Sequence, residues 1–200
     1  MTFATGRQIV ASVEHAFGEA RRAVEALHPD LSKRLSEPAS AAQIDSFEQE
    51  TGIRLPDPVR RLYRQADGCS QGDAIFGGWE WISLAFVGDH STELQISLES
   101  DRPDEAEAMT LVPLFCANGD YLCIRHNEDS GKLYYVPHDS PTVEPVAETL
   151  VEFLEQLVAR IAAGALVLEQ FTTPRGIYFS VRPTNREYWP PDFGQHGSGH

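Results

Sequence analysis

The sequence predicts an α+β protein, in which a mainly antiparallel sheet, built as a meander, packs with N-terminal helices and a C-terminal helix. Three observations predict it. Apolar residues recur at helical spacing through the first third of the chain. Two β-rich runs, "TLVPLFCA" and "DYLCIRH", flank Asn118-Gly119, a pair suited to the positive φ angles of a two-residue hairpin turn. A second amphipathic helix follows, in "PVAETLVEFLEQLVARIAAG".

Ile9, Val13, Ala16, Phe17, Ala20, Val24 and Leu27 form one stripe of a first long helix, which "HPD" at 28–30 ends. A short helix is expected over 31–36. Ser40 with Gln43 three residues on is a capping-box pattern, and the helix behind it buries Ile44 and Phe47 before Gly52 stops it. In "LPDPVRRLYRQADG", Asp57 is placed to cap a helix and Pro58 suits its first position. Val59, Leu62, Tyr63 and Ala66 share one face. Gly68 is read as the stop.

From residue 69 the character changes. "AIFGGWEWISL" is aromatic and glycine-rich, which predicts short strands. Trp79 and Trp81, two apart, point the same way along a strand. A core role is expected for them, with an exposed aromatic anchor as the alternative. Residues 89–107 carry seven acids against Arg102 and read as a long polar connection with room for one helical turn. After the Asn118-Gly119 hairpin, "NEDSG" turns into a third strand, "KLYYVPH". A two-residue turn sets Cys116 opposite Tyr121 and Cys123 opposite Leu114, so the cysteines are diagonal, small core residues.

Thr149 and Glu152 form a second capping box. Leu150, Phe153, Leu154, Leu157, Val158 and Ile161 make the apolar stripe that Gly164 closes. The main domain is thus drawn over 1–165. An extra β-hairpin is read in 166–183, around "TPRG", and a loose Pro/Gly-rich tail over 184–200.

With 200 residues and 42% hydrophobic content, one sizeable core is available, burying on the order of 70% of the unfolded chain's surface. The net charge is −14. That sign opposes nucleic acid and anionic lipid and complements a basic protein partner; the plainer role of such charge is solubility. Three cysteines without C-x-x-C spacing argue against a disulfide framework and a zinc ribbon. The N-terminal stretch lacks a signal-peptide core, and no apolar run reaches the roughly 18 residues of a membrane span. The cytoplasm is the expected compartment.

No nucleophile elbow, P-loop or G-x-G-x-x-G is present. "HNE" at 126–128 fits the H-x-E of zinc deaminases, but the required P-C-x-x-C is missing and every cysteine precedes His126. His126, Glu128, His138 and Asp139 could gather at one end of the meander, yet they read better as solvated turn residues. No metal, cofactor or catalytic residue is assigned.

The order of these pieces resembles the SUKH superfamily, the Smi/Knr-type proteins, over roughly residues 5–165. Glu48, Gly52, Leu55-Pro56 and Asp67-Gly68 stand where that pattern has its glutamate, glycine, Leu-Pro and Asp-Gly. Phe76–Trp81, "LVPL" (111–114), "GDYLCIR" (119–125), His138-Asp139 and "TLVEFL" (149–154) also correspond. Leu111 replaces a family tryptophan, and Arg125 replaces a common acid. The resemblance implies a mixed α+β domain without catalysis. Bacterial members resemble immunity proteins that bind and neutralise a cognate toxin domain, often a nuclease or deaminase. Fungal members act as scaffolds in cell-wall regulation, so an adaptor that binds a host protein is the alternative function. The expected partner is a basic toxin protein, met by a monomer or weak dimer. Asp89, Glu93, Glu99, Asp101, Asp104, Glu105 and Glu107 are its candidate contacts.

Overall fold

The protein is described by a computed structural model covering residues 11–101, 111–126, 128–138 and 143–184. Helix α1 spans Val13–Leu27, with Ser12 accepting the His15 N–H at its start. Its buried stripe is Val13, Ala16, Phe17, Ala20 and Val24; Ile9 lies outside the described residues. A single 3-10 turn, Leu31–Arg34, follows and is shorter than the sequence suggests. Helix α2, Ala41–Thr51, has the full reciprocal cap between Ser40 and Gln43, and Gly52 ends it in the left-handed region at φ 72°.

Helix α3 is Asp57–Tyr63, and its ends correct the sequence reading. Pro56, held extended by its ring, is the N-cap, so Asp57 enters the first turn and makes no cap bond. Its carboxylate turns to Arg61 instead, at 2.8 Å. The helix stops at Tyr63, not at Gly68. Gly68 is needed for a different reason: a Cβ there would stand 2.6 Å from the Ser83 nitrogen.

Five antiparallel strands make the main sheet in sequential order: β1 (Glu80–Trp81), β2 (Leu111–Ala117), β3 (Asp120–Arg125), β4 (Leu133–Val136) and β5 (Glu144–Ala147). Asn118 and Gly119 turn the β2–β3 hairpin with φ of 52° and 95°. Cys116 faces Tyr121, as the turn requires, but Cys123 faces Pro113 rather than Leu114. A bulge between Pro113 and Phe115 causes the shift, and it lets the consecutive Leu114 and Phe115 both enter one core. Strand β5, with Pro145 inside it, had no alternation to reveal it.

The 89–107 reading is also corrected. Residues 84–101 form a helix, α4 (Leu84–Asp101). It covers the second face of the sheet. Leu94 and Leu98 pack there with Leu111, Cys123, Tyr134 and Val136, while Leu122 and Ile124 point to the large core on the opposite face. Trp79 and Trp81 lie in that large core, so neither is an exposed anchor. Trp81 is ringed by Phe17, Tyr63, Phe76 and Phe115.

Helix α5, Leu150–Ala162, packs its stripe against α1 and the sheet. Thr149 accepts the Glu152 N–H, but the Glu152 carboxylate reaches back to the Glu148 N–H, one residue off the expected box. Strands β6 (Leu166–Thr173) and β7 (Gly176–Pro183) form a separate hairpin. The buried Asp73 fastens it: Oδ1 accepts the Phe179 N–H at 2.7 Å, and Arg34 lies 3.7 Å from Oδ2 and over the Phe179 ring.

Candidate partner-binding face

The residues that carry the sequence pattern are structural fasteners. Glu48 Oε1 accepts the Leu55 N–H at 2.9 Å, and Oε2 takes Arg60 Nη1 at 2.5 Å. Arg60 Nη2 reaches Asp45 at 2.6 Å. The Leu-Pro turn between α2 and α3 is thereby locked. Asp67 accepts the Leu84 N–H at 2.8 Å, which satisfies an orphan donor at the start of α4. Burial raises the Asp67 carboxyl above its usual range, opposed by that hydrogen bond. Gly68 lets the backbone pass against Ser83 and Trp81. These contacts fix the position and direction of α4.

What α4 presents is a divided surface. Inward it buries Leu84, Val87, Ser91, Leu94 and Leu98, at heptad-like spacing. Outward stand Phe86, Asp89, Glu93 and Ile96, at i, i+3, i+7 and i+10. Phe86 is 49% exposed and Ile96 63%. They are separated by about 15 Å along the helix axis. The helix has no lysine or arginine. Two apolar knobs therefore bracket two carboxylates on one solvent-facing stripe.

Beside the stripe, His90 Nδ1 lies 3.1 Å from the Tyr121 hydroxyl and 3.7 Å from Glu93. Burial and the Glu93 charge push the Tyr121 phenol up to about 12. Glu80, on β1, accepts the Gly72 N–H and is also raised, first by burial.

The structure brings together only part of the expected contact set. Asp89 and Glu93 share the outward stripe. Glu99 and Asp101 continue the same helix, but their side chains lie outside the described set, as do Asp104, Glu105 and Glu107 altogether. Phe86 and Ile96 were missed. The signal for them was a stripe at helical spacing, blurred because apolar residues occupy both sides of α4.

Elsewhere the chemistry is quiet. Glu128 accepts the Tyr134 hydroxyl and faces Arg125, while His138 pairs with Asp120 at 2.7 Å; His126 lines a hollow by the Leu-Pro turn. Glu128 and His138 are thus engaged with different partners, and Asp139 lies outside the described residues. Arg125, in place of the family acid, stacks over Tyr134 at 4.6 Å. Among the described residues no group of three or more His, Cys, Asp or Glu converges as a metal site. Burial raises all three thiols, Cys116 to about 12, away from the thiolate that nucleophilic chemistry needs. No helix among the described residues is long and apolar enough to cross a membrane.

The locked motif thus holds a helix whose outward face is acidic and carries two exposed apolar residues. The model of the SMI1 / KNR4 family (SUKH-1) matches residues 38–156, more than half of the chain, and the chain belongs to that family. The match starts before α2 and ends within α5, so α1 and the β6–β7 hairpin lie outside it. No curated protein matches the chain. Family membership is consistent with an immunity or regulatory role.

Proposed function

We propose that this protein is an immunity protein that neutralises a cognate toxin domain, a nuclease or deaminase, by stoichiometric occlusion. The outward stripe of α4 carries the reading. An enzyme that acts on nucleic acid must line its substrate cleft with lysine and arginine to meet phosphates. Asp89 and Glu93 complement such a cleft, and Phe86 and Ile96 supply the desolvated anchors that hold a complex once formed. Inhibition then needs no chemistry from the immunity protein. It needs a preformed face, and the Asp67 and Gly68 contacts hold α4 in place for it.

The test begins with the reading frame upstream of the gene. A large secreted protein with a variable C-terminal domain encoded there supports the reading, and its absence favours the adaptor; where present, that domain is purified and its activity titrated with this protein. The expected result is loss of activity that ends sharply at equimolar protein, and recovery with Phe86→Asp/Ile96→Asp. Full toxin activity in the presence of excess immunity protein would overturn the reading and favour a regulatory adaptor.

A further inference from the structure

We infer that the outer edge of β6 is a self-association site, at which two copies of this chain pair their β6 strands antiparallel into one continuous four-stranded sheet. The backbone shows which groups are free. On β7, the Phe179 carbonyl accepts the Ala74 N–H, the Val181 N–H goes to the Ala74 carbonyl, and the Phe179 N–H goes to Asp73. These groups point away from β6. Their cross-strand partners, Gln170 and Leu168, therefore point away from β7, and Thr172 follows by alternation. Among the described residues no strand lies beyond β6, and these donors and acceptors make no backbone bond outside the hairpin.

Such an edge invites pairing unless it is blunted by proline, lysine, a bulge or a cover. β6 has none of these: it reads "LVLEQFTT", with eight residues in unbroken register. The hairpin is also where apolar surface is left over. Among the described residues, three of the five exposed large hydrophobics, Val167, Phe171 and Ile177, sit on it. The other two belong to the α4 stripe, so the two surfaces are distinct.

Charge selects a second copy as the occupant. The chain carries −14, and two such chains repel wherever their acids meet. The hairpin is the exception. Its charges are one acid, Glu169, against two arginines, Arg175 and Arg182, or −1 + 2 = +1. Glu169 and Arg182 already pair with each other. A basic partner is drawn to α4; a like-charged copy can approach here. The register is set by the same reasoning. Centring the two-fold axis on Phe171 stacks it on Phe171 of the partner subunit and sets Gln170 against Thr172 of the partner subunit. Glu169 then meets Thr173 of the partner subunit. Centring on Glu169 would oppose like charges.

Sedimentation equilibrium of the full chain tests this over a range of concentrations and salt. The expected result is a concentration-dependent dimer that tightens as salt screens the net charge. Thr172→Pro removes an outward N–H without touching the β6–β7 ladder, and Phe171→Lys places like charges on the axis. Each is expected to weaken the dimer at least about tenfold. Phe171→Cys, oxidised with glutathione disulfide, reads the register without relying on a loss: it should give a covalent dimer, and Glu169→Cys should not. A chain that stays monomeric at every concentration and salt overturns the inference, as does a dimer that neither Thr172→Pro nor Phe171→Lys weakens. Monomer that instead pairs only with a foreign extended peptide would also overturn it.

Discussion

The Asp67 carboxylate accepts the Leu84 N–H at 2.8 Å, across 17 residues of chain. The Asp-Gly pair of the family pattern thus acts at a distance, on the first turn of α4. Asp67→Ala should cost about 1 kcal/mol, the usual worth of a helix cap. Asp67→Asn keeps the acceptor oxygen, removes a half-buried charge and should cost less. Gly68→Ala should cost more than either, since its φ of +77° and a Cβ 2.6 Å from Ser83 both oppose a side chain. Urea denaturation of the three variants gives the ranking. Equal losses for Asp67→Asn and Asp67→Ala would show that the hydrogen bond does not hold α4.

Stability should rise on mild acidification. Asp67, Asp73 and Glu80 are each raised above their ordinary values of 3.8, 3.8 and 4.5, with burial the largest cause in all three. A raised carboxyl binds its proton more tightly in the native state than in the unfolded one. Between the ordinary and raised values the native state therefore holds more protons, and stability grows as pH falls. Glu14, lowered chiefly by a backbone hydrogen bond, and Asp30, lowered chiefly by its hydrogen bond to Lys33, act oppositely below their ordinary values of 4.5 and 3.8. The melting temperature should climb as pH falls from neutral toward the ordinary carboxyl values of 3.8 and 4.5, and drop once pH falls below them. Asp73→Asn should flatten the climb. A steady fall from neutral pH downward would contradict the burial argument.

Within α3, burial and exposure separate two neighbours. Leu62 is 1% exposed, and Leu62→Ala should cost about 2–5 kcal/mol by emptying a core position. Asp57 is exposed, and among the described residues its carboxylate pairs with Arg61 one turn away. Asp57→Ala should change stability by no more than about 0.5 kcal/mol, the worth of an i,i+4 pair. A large loss at Asp57 would mean that it caps the helix after all.

The helices and the meander were legible because each carries a local signature. Ser40 and Gln43 announce α2, Asn118-Gly119 announces the central hairpin, and Leu150 to Ile161 repeat with one period. Legibility failed where long-range packing decides. Leu114 and Phe115 enter one core through a bulge that no local residue encodes. Asp57 is a good cap by type, but Pro56 preceded it and Arg61 drew its carboxylate. On α4 the density of acids suggested a connection, and the outward Phe86 and Ile96 hid the inward heptad of Leu84, Val87, Ser91, Leu94 and Leu98. Asp89 and Glu93 stood out in the sequence by charge alone. Their apolar neighbours became visible only when the helix was.

That pairing of charge with apolar surface gives the kinetic prediction. Exposed acids act at a distance, so Asp89→Lys/Glu93→Lys should slow association with a basic toxin domain and flatten its dependence on ionic strength. Screening over about 8 Å at physiological salt limits the effect to encounter and orientation. Dissociation should change little. Phe86→Ala and Ile96→Ala should do the reverse, because buried apolar anchors are lost only after the complex has formed. Each should speed dissociation by about tenfold or more, equivalent to ~1.4 kcal/mol, with association nearly unchanged. Surface plasmon resonance at several salt concentrations separates the two rates. If all four positions shifted the same rate constant, the division of labour along the α4 stripe would be wrong. If none shifted either, the toxin would be held by another face, with the residues around Asn118-Gly119 the next to be substituted.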